Sequence, residues 1–256
     1  MEQINDIDVY TAGMQKSLND KLFFIDKVDD IGRVIDFGCA DGSLLREMYK
    51  TNPNLNYVGY DNNTIMIAHA RISTDCEKFK NIRFTDEYAF SNTNNTLLNL
   101  SSVIHEVYSY SQPDEINTFW NNVLYHNYKY IAIRDFCISK SINRQSDIND
   151  YTKVIQSADK EQIDEYESIW GSLRDNRNLV HYLMKYRYTE NWNREVRENY
   201  FPITLEALLS MIPTYKYEII YFEDYILPFT KNRVKEDFDI DLHDNTHVKI
   251  LLKRKD

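Results

Sequence analysis

An α/β fold, a parallel sheet covered by helices on both faces, is what this sequence predicts, and three observations predict it. Short apolar runs of strand length alternate with segments of helical apolar spacing from about residue 30 to residue 138. The first run ends in a glycine turn that opens a helix. A helix followed by a strand returns after residue 203. Strands alternating with helices imply right-handed βαβ units, because parallel neighbours need a crossover long enough to hold a helix.

Taken in order, Arg33-Val34-Ile35-Asp36-Phe37 is a strand ending at Gly38, and Ser43 to Tyr49 is a helix that Asn52-Pro53 stops. Asn56 to Asp61 is a strand with an acidic end, and Thr64 to Arg71 is the helix after it. Asn81 to Thr85 supplies a third strand. The Asn-rich stretch Ser91 to Thr96 reads as a loop, since these side chains compete with regular backbone pairing. Leu97 to Val103 is a buried strand. Pro113-Asp114-Glu115 then opens a helix whose apolar face is Ile116, Phe119, Trp120, Val123 and Leu124. Tyr130 to Asp135 is the fifth strand.

From Ile142 to Tyr200 the chain is rich in charge and in helix-like segments and holds no convincing strand, so residues 140–203 read as a helical insertion. Thr204 caps a helix over Leu205 to Ile212 that Pro213 closes, and Tyr217 to Phe222 is the next strand. His247 to Lys253 is the last. No clear helix separates these two, which predicts antiparallel neighbours joined by a long loop through Pro228 and Asp244. The whole, residues 1–256, is expected to be a single domain, with residues 1–29 as an N-terminal helical cap.

Composition narrows the function. The 256 residues are 43% hydrophobic and 27% charged, enough chain for a sizeable core. No run approaches the roughly 18 apolar residues of a membrane span, and the start lacks a signal-peptide pattern, so a soluble cytoplasmic protein without membrane contact is expected. Cys39, Cys76 and Cys137 are scattered and odd in number, which indicates neither a disulfide framework nor a zinc cluster. A net charge of −10 argues against a surface that tracks a phosphate backbone throughout, leaving room only for a local basic groove. The abundance of Asn, Ile, Lys and Tyr suggests an AT-rich genome, such as that of a phage, another virus or a low-GC bacterium.

With only 6 glycines in the chain, Asp36-Phe37-Gly38-Cys39-Ala40-Asp41-Gly42 is the sharpest feature. Small residues let the backbone approach a ligand, and free amides at a helix start favour polar or anionic groups. Asp61, at the end of the following strand, stands where an acidic side chain accepts hydrogen bonds from ribose hydroxyls in nucleotide-binding α/β units. The spacing is not the GxGxxG of nicotinamide-binding folds.

On these residues, with the acidic pair Asp86-Glu87 and the strand exit Leu100 to Glu106, the sequence resembles the class I S-adenosylmethionine-dependent methyltransferases. Ala40 stands where many members carry glycine. The resemblance implies a Rossmann-like, seven-stranded mixed sheet with one antiparallel strand near an edge and helices on both faces; the insertion read above falls between its fifth and sixth strands. It implies S-adenosylmethionine as cofactor, leaving S-adenosylhomocysteine, without a metal. The implied cofactor-binding set is Asp36, Gly38, Cys39, Ala40 and Gly42, then Asp61, Asn62, Asp86, Glu87 and Ser102, with Lys16 pairing with the methionine carboxylate. Lys21 is the alternative partner for that group, and Tyr10, Met14 and Lys16 precede the first strand where related enzymes close a helix over the cofactor.

His105-Glu106 follows the fourth strand, where methyltransferases present groups to substrate. A histidine there is either a general base or a packed, hydrogen-bonded residue, and Glu106 orients it or the substrate. Positioning and desolvation alone can also drive in-line methyl transfer. In the insertion, basic and aromatic residues interleave. Lys185, Arg187, Trp192 and Arg194, with Tyr108, are candidate acceptor contacts, against the alternative that they form internal ion pairs on a helical lid. A nucleic acid or nucleotide suits that segment, and a small molecule suits the acidic whole. The competing reading is a methyltransferase-fold scaffold that holds a partner with the insertion; a third is another nucleotide-using enzyme. Asp237, Asp239, Asp241 and Asp244 lack the glycine and glutamate of an EF-hand and read as a solvated acidic loop.

Overall fold

The computed structural model describes residues 18–256. After a short helix α1 (Leu18–Lys21), the chain alternates β1 (Arg33–Phe37), α2 (Ser43–Thr51), β2 (Asn56–Tyr60), α3 (Thr64–Ser73), β3 (Ile82–Thr85) and β4 (Thr96–Ser101). Two helices, α4 (Ile104–Tyr110) and α5 (Pro113–Tyr125), precede β5 (Tyr130–Phe136). With β6 (Tyr217–Tyr225) and β7 (His247–Arg254), the seven strands form one sheet in the order β3-β2-β1-β4-β5-β7-β6. Strands β1 to β5 are parallel, and β7 runs antiparallel to both β5 and β6. This is the mixed sheet that the resemblance implies, with its antiparallel strand one place in from an edge.

Both faces are covered, and the period-2 alternation of the strands decides what lies on each. Ile131 and Ile133 of β5 join Phe119, Trp120 and Ile104 in one core, under α4 and α5. Val34, Leu97, Tyr130 and Ala132 join Phe24, Leu44, Leu45 and Met48 in the other, under α2 and the segment after α1. The polar residues at the strand ends follow the same alternation: Asp36, Asn99 and Arg134 share the parity of the second core, and Asp135 that of the first.

Between β5 and β6 lie α6 (Ile148–Ser157), α7 (Lys160–Trp170), α8 (Asn176–Lys185), α9 (Trp192–Glu195) and α10 (Leu205–Met211). Asp147, Asp159 and Asp175 each cap the helix that follows them, and Thr204 caps α10 through the Ala207 amide, as its sequence predicts.

The structure corrects one expectation. A helix, α11 (Pro228–Phe238), separates β6 from β7 where a long loop was predicted. Only Val234 and Phe238 of it are buried, a single i,i+4 pair, so the apolar period that betrays a helix is nearly absent. That pair joins Tyr166, Leu179 and Leu183 of the insertion in a third core, so the crossover and the insertion fold together. Among the described residues no helix is long and apolar enough to cross a membrane.

Candidate active site

The loop after β1 is shaped by three left-handed residues, Gly38 (φ 75°), Ala40 (φ 45°) and Gly42 (φ 75°). It hangs on the end of β2. The Gly38 and Cys39 amides donate to the Tyr60 carbonyl at 2.8 and 2.9 Å, and the Ala40 amide donates to Asp61 Oδ2 at 2.9 Å. The other oxygen of Asp61 accepts the Asn63 amide at 2.9 Å. Each carboxylate oxygen keeps a lone pair for a hydroxyl donor. Burial raises the Asp61 carboxyl above its ordinary range, the two amides oppose that, and Glu106 adds to it.

At Gly42 the space a Cβ would need is filled by the Phe84 ring, 2.5 Å away, and at Gly38 by Val103 Cγ2 at 2.9 Å. The glycines therefore answer to the loop's own packing, a reason the sequence reading, which saw ligand access, did not contain. Asp41 pairs with Arg46 at 3.1 Å and tightens the same turn.

Beside this loop, under α1, lies a buried polar cluster. Asp36 accepts from Asn99 Nδ2 at 2.7 Å, and burial pushes its carboxyl up to about 6. Asp20 of α1 holds Arg134 Nε (2.9 Å), the Tyr225 hydroxyl (2.6 Å) and Lys249 Nζ (2.7 Å), which fastens the helix to β5, β6 and β7. Arg134 Nη1 donates to Ser102 Oγ at 2.9 Å, and Ser102 itself turns out of β4 at φ 58°. Arg134 Nη2 is buried with no hydrogen-bond partner. Lys21 is 7% exposed and makes no hydrogen bond among the described residues. Burial and the neighbouring Arg134 pull its ammonium below the lysine range, and Asp36, Asp135 and Glu106 pull the other way. Two buried cations with unused donors make a receptor for an anionic oxygen pair.

On the opposite face His105 enters the first turn of α4, 5% exposed. Its Nδ1 lies 2.5 Å from Asp135 Oδ1, and Asp135 Oδ2 accepts the Val103 and Ile104 amides at 2.8 and 2.6 Å. Burial alone would lower the imidazole's pKa; the charge and hydrogen bond of Asp135, with Glu198 and Glu106, outweigh it and push the pKa up to about 9. At neutral pH the ring is an imidazolium, which suits holding charge in place more than removing a proton. Glu198, from the insertion, is 3% exposed; burial lifts its carboxyl to about 7, though His105 opposes. Side-chain ligand atoms of His105, Glu106 and Glu198 lie within 4.8 Å of one another. Arg194 Nη2 supplies positive charge there, 2.9 Å from Glu106 Oε1 and 3.3 Å from Glu198 Oε1.

The other residues that the sequence singled out are placed as follows. Lys16, with Tyr10 and Met14, lies outside the described residues. Cys39 is buried in the loop; Asn62, Asp86 and Glu87 are exposed, the last two just past β3. Lys185 Nζ is buried and donates to the Glu195 and Glu198 carbonyls, both at 2.7 Å, with burial lowering it to about 7. Arg187 pairs with Asp237 at 2.5 Å, Trp192 Nε1 donates to Glu165 at 2.8 Å, and the Tyr108 hydroxyl accepts from Trp120 Nε1 at 3.0 Å. Of the five acceptor candidates, only Arg194 reaches the His105–Glu106 corner. Of these basic residues only Arg194 makes an ion pair within the insertion, to Glu198; Lys185 is held by backbone carbonyls and Arg187 pairs with Asp237 of α11. Asp239 and Asp241 pair with Lys235, and Asp244 with Arg144.

Residues 29–102 match a family model described as a methyltransferase domain. The sheet order, the glycine loop and this match agree. The matched segment runs from just before β1 to just past β4, so the likeness to a methyltransferase domain covers that part of the sheet. Among curated proteins it is similar to a tRNA (guanine-N(7)-)-methyltransferase of Prochlorococcus marinus (strain MIT 9515), 28% identical over 88 residues, which is 31% of this chain and 42% of that protein. The matched segment thus spans less than half of that relative's length. An S-adenosylmethionine-dependent methyltransferase from Mesorhizobium loti superposes with a TM-score of 0.52 at 14% identity, over 94% of this chain and 96% of that one. The cyclase SpnF does so with 0.54 at 11%, over 93% and 82%. At such identities the likeness is one of fold, and the pair shows that one sheet hosts different reactions.

Sequence reasoning did not single out Asp135, Arg134 or Glu198 as site residues. Asp135 carried the one available signal, an acidic residue ending an otherwise apolar strand. Arg134 and Glu198 reach the site from distant segments and carried none.

Proposed function

We propose that the protein is an S-adenosylmethionine-dependent methyltransferase whose cofactor lies along the ends of β1, β2 and β4. The observation that carries this reading is the buried, unpartnered Arg134 Nη2 beside the equally unpartnered Lys21. That cofactor's amino-acid end brings one carboxylate, which fits two such cations, and one ammonium, which fits a buried aspartate such as Asp36. Its ribose hydroxyls fit the remaining lone pairs of Asp61. When bound, the cofactor supplies a sulfonium-activated methyl group. The chain's own part is to hold it: Asp61 grips the ribose while bracing the Ala40 amide, and the α1 latch through Asp20 keeps Lys21 over the carboxylate.

The nucleic-acid acceptor named for the Prochlorococcus relative is not carried over, because the match covers the cofactor half and the insertion's basic residues have internal partners.

Calorimetric titration with S-adenosylhomocysteine and with 5′-methylthioadenosine, which lacks the amino-acid end, tests the reading. Lys21→Met should weaken S-adenosylhomocysteine by one charge-assisted bond, about 1.5–3 kcal/mol, or roughly 10- to 150-fold, and leave 5′-methylthioadenosine unchanged. Asp61→Asn should weaken both. Failure of the folded wild type to bind S-adenosylhomocysteine, or equal losses for both ligands in Lys21→Met, would overturn it.

A further inference from the structure

Arg194 sits where a ligand would. Its guanidinium belongs to the insertion, yet it reaches the methyltransferase core: Nη2 contacts Glu106 and Glu198, Nε lies 3.3 Å from the Tyr110 hydroxyl, and the group stands 5.9 Å from the centre of the Tyr110 ring. Two carboxylates and an aromatic wall around one planar cation form a recognition site for that kind of group.

The place of the cage matters as much as its chemistry. Glu106 lies in the first turn of α4, directly after the exit from β4, and its charge is felt by Asp61 and Lys21 on the cofactor side as well as by Glu198 and Tyr110 on the insertion side. The cage therefore stands between the cofactor loop and the lid. His105, fixed through Asp135, has a ring nitrogen within 4.8 Å of both carboxylates.

We infer that Glu106 and Glu198 form the acceptor subsite of this enzyme, built for a planar cationic nitrogen group such as a guanidinium or amidinium, and that Arg194 fills it when no acceptor is bound. The inference rests on the methyltransferase reading above. A cationic nitrogen must lose a proton before or as it accepts a methyl group, and the two carboxylates that hold it are the nearest bases to receive that proton. The opening of the lid and the release of Arg194 become one event, since an arriving acceptor replaces the contact that ties residue 194 to residue 106.

The test uses the full-length chain with EDTA present, so that no divalent cation occupies the His105–Glu106–Glu198 corner. Arg194→Ala should bind methylguanidinium saturably, at least about tenfold more tightly than methylurea, its neutral counterpart. The wild type should bind it more weakly than the variant, because Arg194 competes. Adding Glu106→Gln to Arg194→Ala should abolish the preference. Indifference between the two probes, a preference that survives Glu106→Gln, or binding no weaker in the wild type would each overturn the inference. S-adenosylhomocysteine titrated into Arg194→Ala separates the two readings: retained affinity with no methylguanidinium preference sinks the acceptor subsite alone, and no affinity in either protein sinks the methyltransferase reading.

Discussion

At the residue scale, the turn from β1 into α2 shows how little freedom the site leaves its sequence. Gly42 adopts φ 75° and its missing Cβ is replaced by the Phe84 ring. A Gly42→Ala substitution meets two separate penalties, left-handed strain of about 1–3 kcal/mol and overpacking of about 1–3 kcal/mol. Urea unfolding should therefore show a loss of roughly 2–6 kcal/mol. Adding Phe84→Leu should recover the packing share and leave the strain, so the pair will be non-additive. Additive losses would mean that the ring yields and only the backbone objects. This turn was legible in the sequence because the glycines and acids that mark it, from Asp36 to Asp61, are local, whereas Phe84 and Val103, which enforce the glycines, lie outside that segment. Arg134 and Glu198 come to the site from beyond that segment, Glu198 from well over 100 residues after it, and no period or spacing links them; Lys21, 15 residues before it, was named through the resemblance alone. Asp135 was half legible, as a charge at the end of a buried strand.

At the scale of elements, β5 and α4 are welded by Asp135, which accepts two amides of the α4 start and holds His105. The welding has a pH signature. His105 titrates near 6.5 when unfolded and near 9 when folded, so its contribution to stability is complete below pH 6.5 and is lost as the pH rises through about 9. Two to three pH units correspond to about 3 kcal/mol. Lys185 acts with the opposite sign: lowered to about 7, it disfavours the folded state below the ordinary lysine range and ceases to do so as the pH rises. The difference between wild type and His105→Gln isolates the histidine. Measured by urea unfolding from pH 6 to pH 10, that difference should shrink toward alkaline pH, and a constant difference would show that the imidazole is neutral in the fold. The same scale explains the missed helix α11. Its two buried residues contribute to a core built mainly by the insertion, so a pattern that looked like loop in isolation becomes helix through tertiary contact. Phe238→Ala should cost about 3–5 kcal/mol in a core whose members outside this crossover lie some 40 to 100 residues earlier.

For the whole molecule, the division of labour follows the cores. Asp36, Asp61, Lys21 and Arg134 ride on strands and helices packed in the sheet's two cores, whereas Arg194 and Glu198 ride on the insertion, whose core is separate. The alternation of strands and helices made the sheet readable from sequence; the insertion's course over α4 was not, because helical patterns state which face is buried and not against what. This division predicts how ligand binding reports on the two halves. A ligand present at 100 times its dissociation constant stabilises its protein by about 2.7 kcal/mol, which for a chain of this size raises the melting temperature by roughly 5–10 °C. S-adenosylhomocysteine should do so in the wild type and equally in Arg194→Ala, while Lys21→Met at the same ligand concentration should lose most of the rise. A rise diminished by Arg194→Ala would mean that the lid contributes to cofactor affinity, and that the two halves close as one unit.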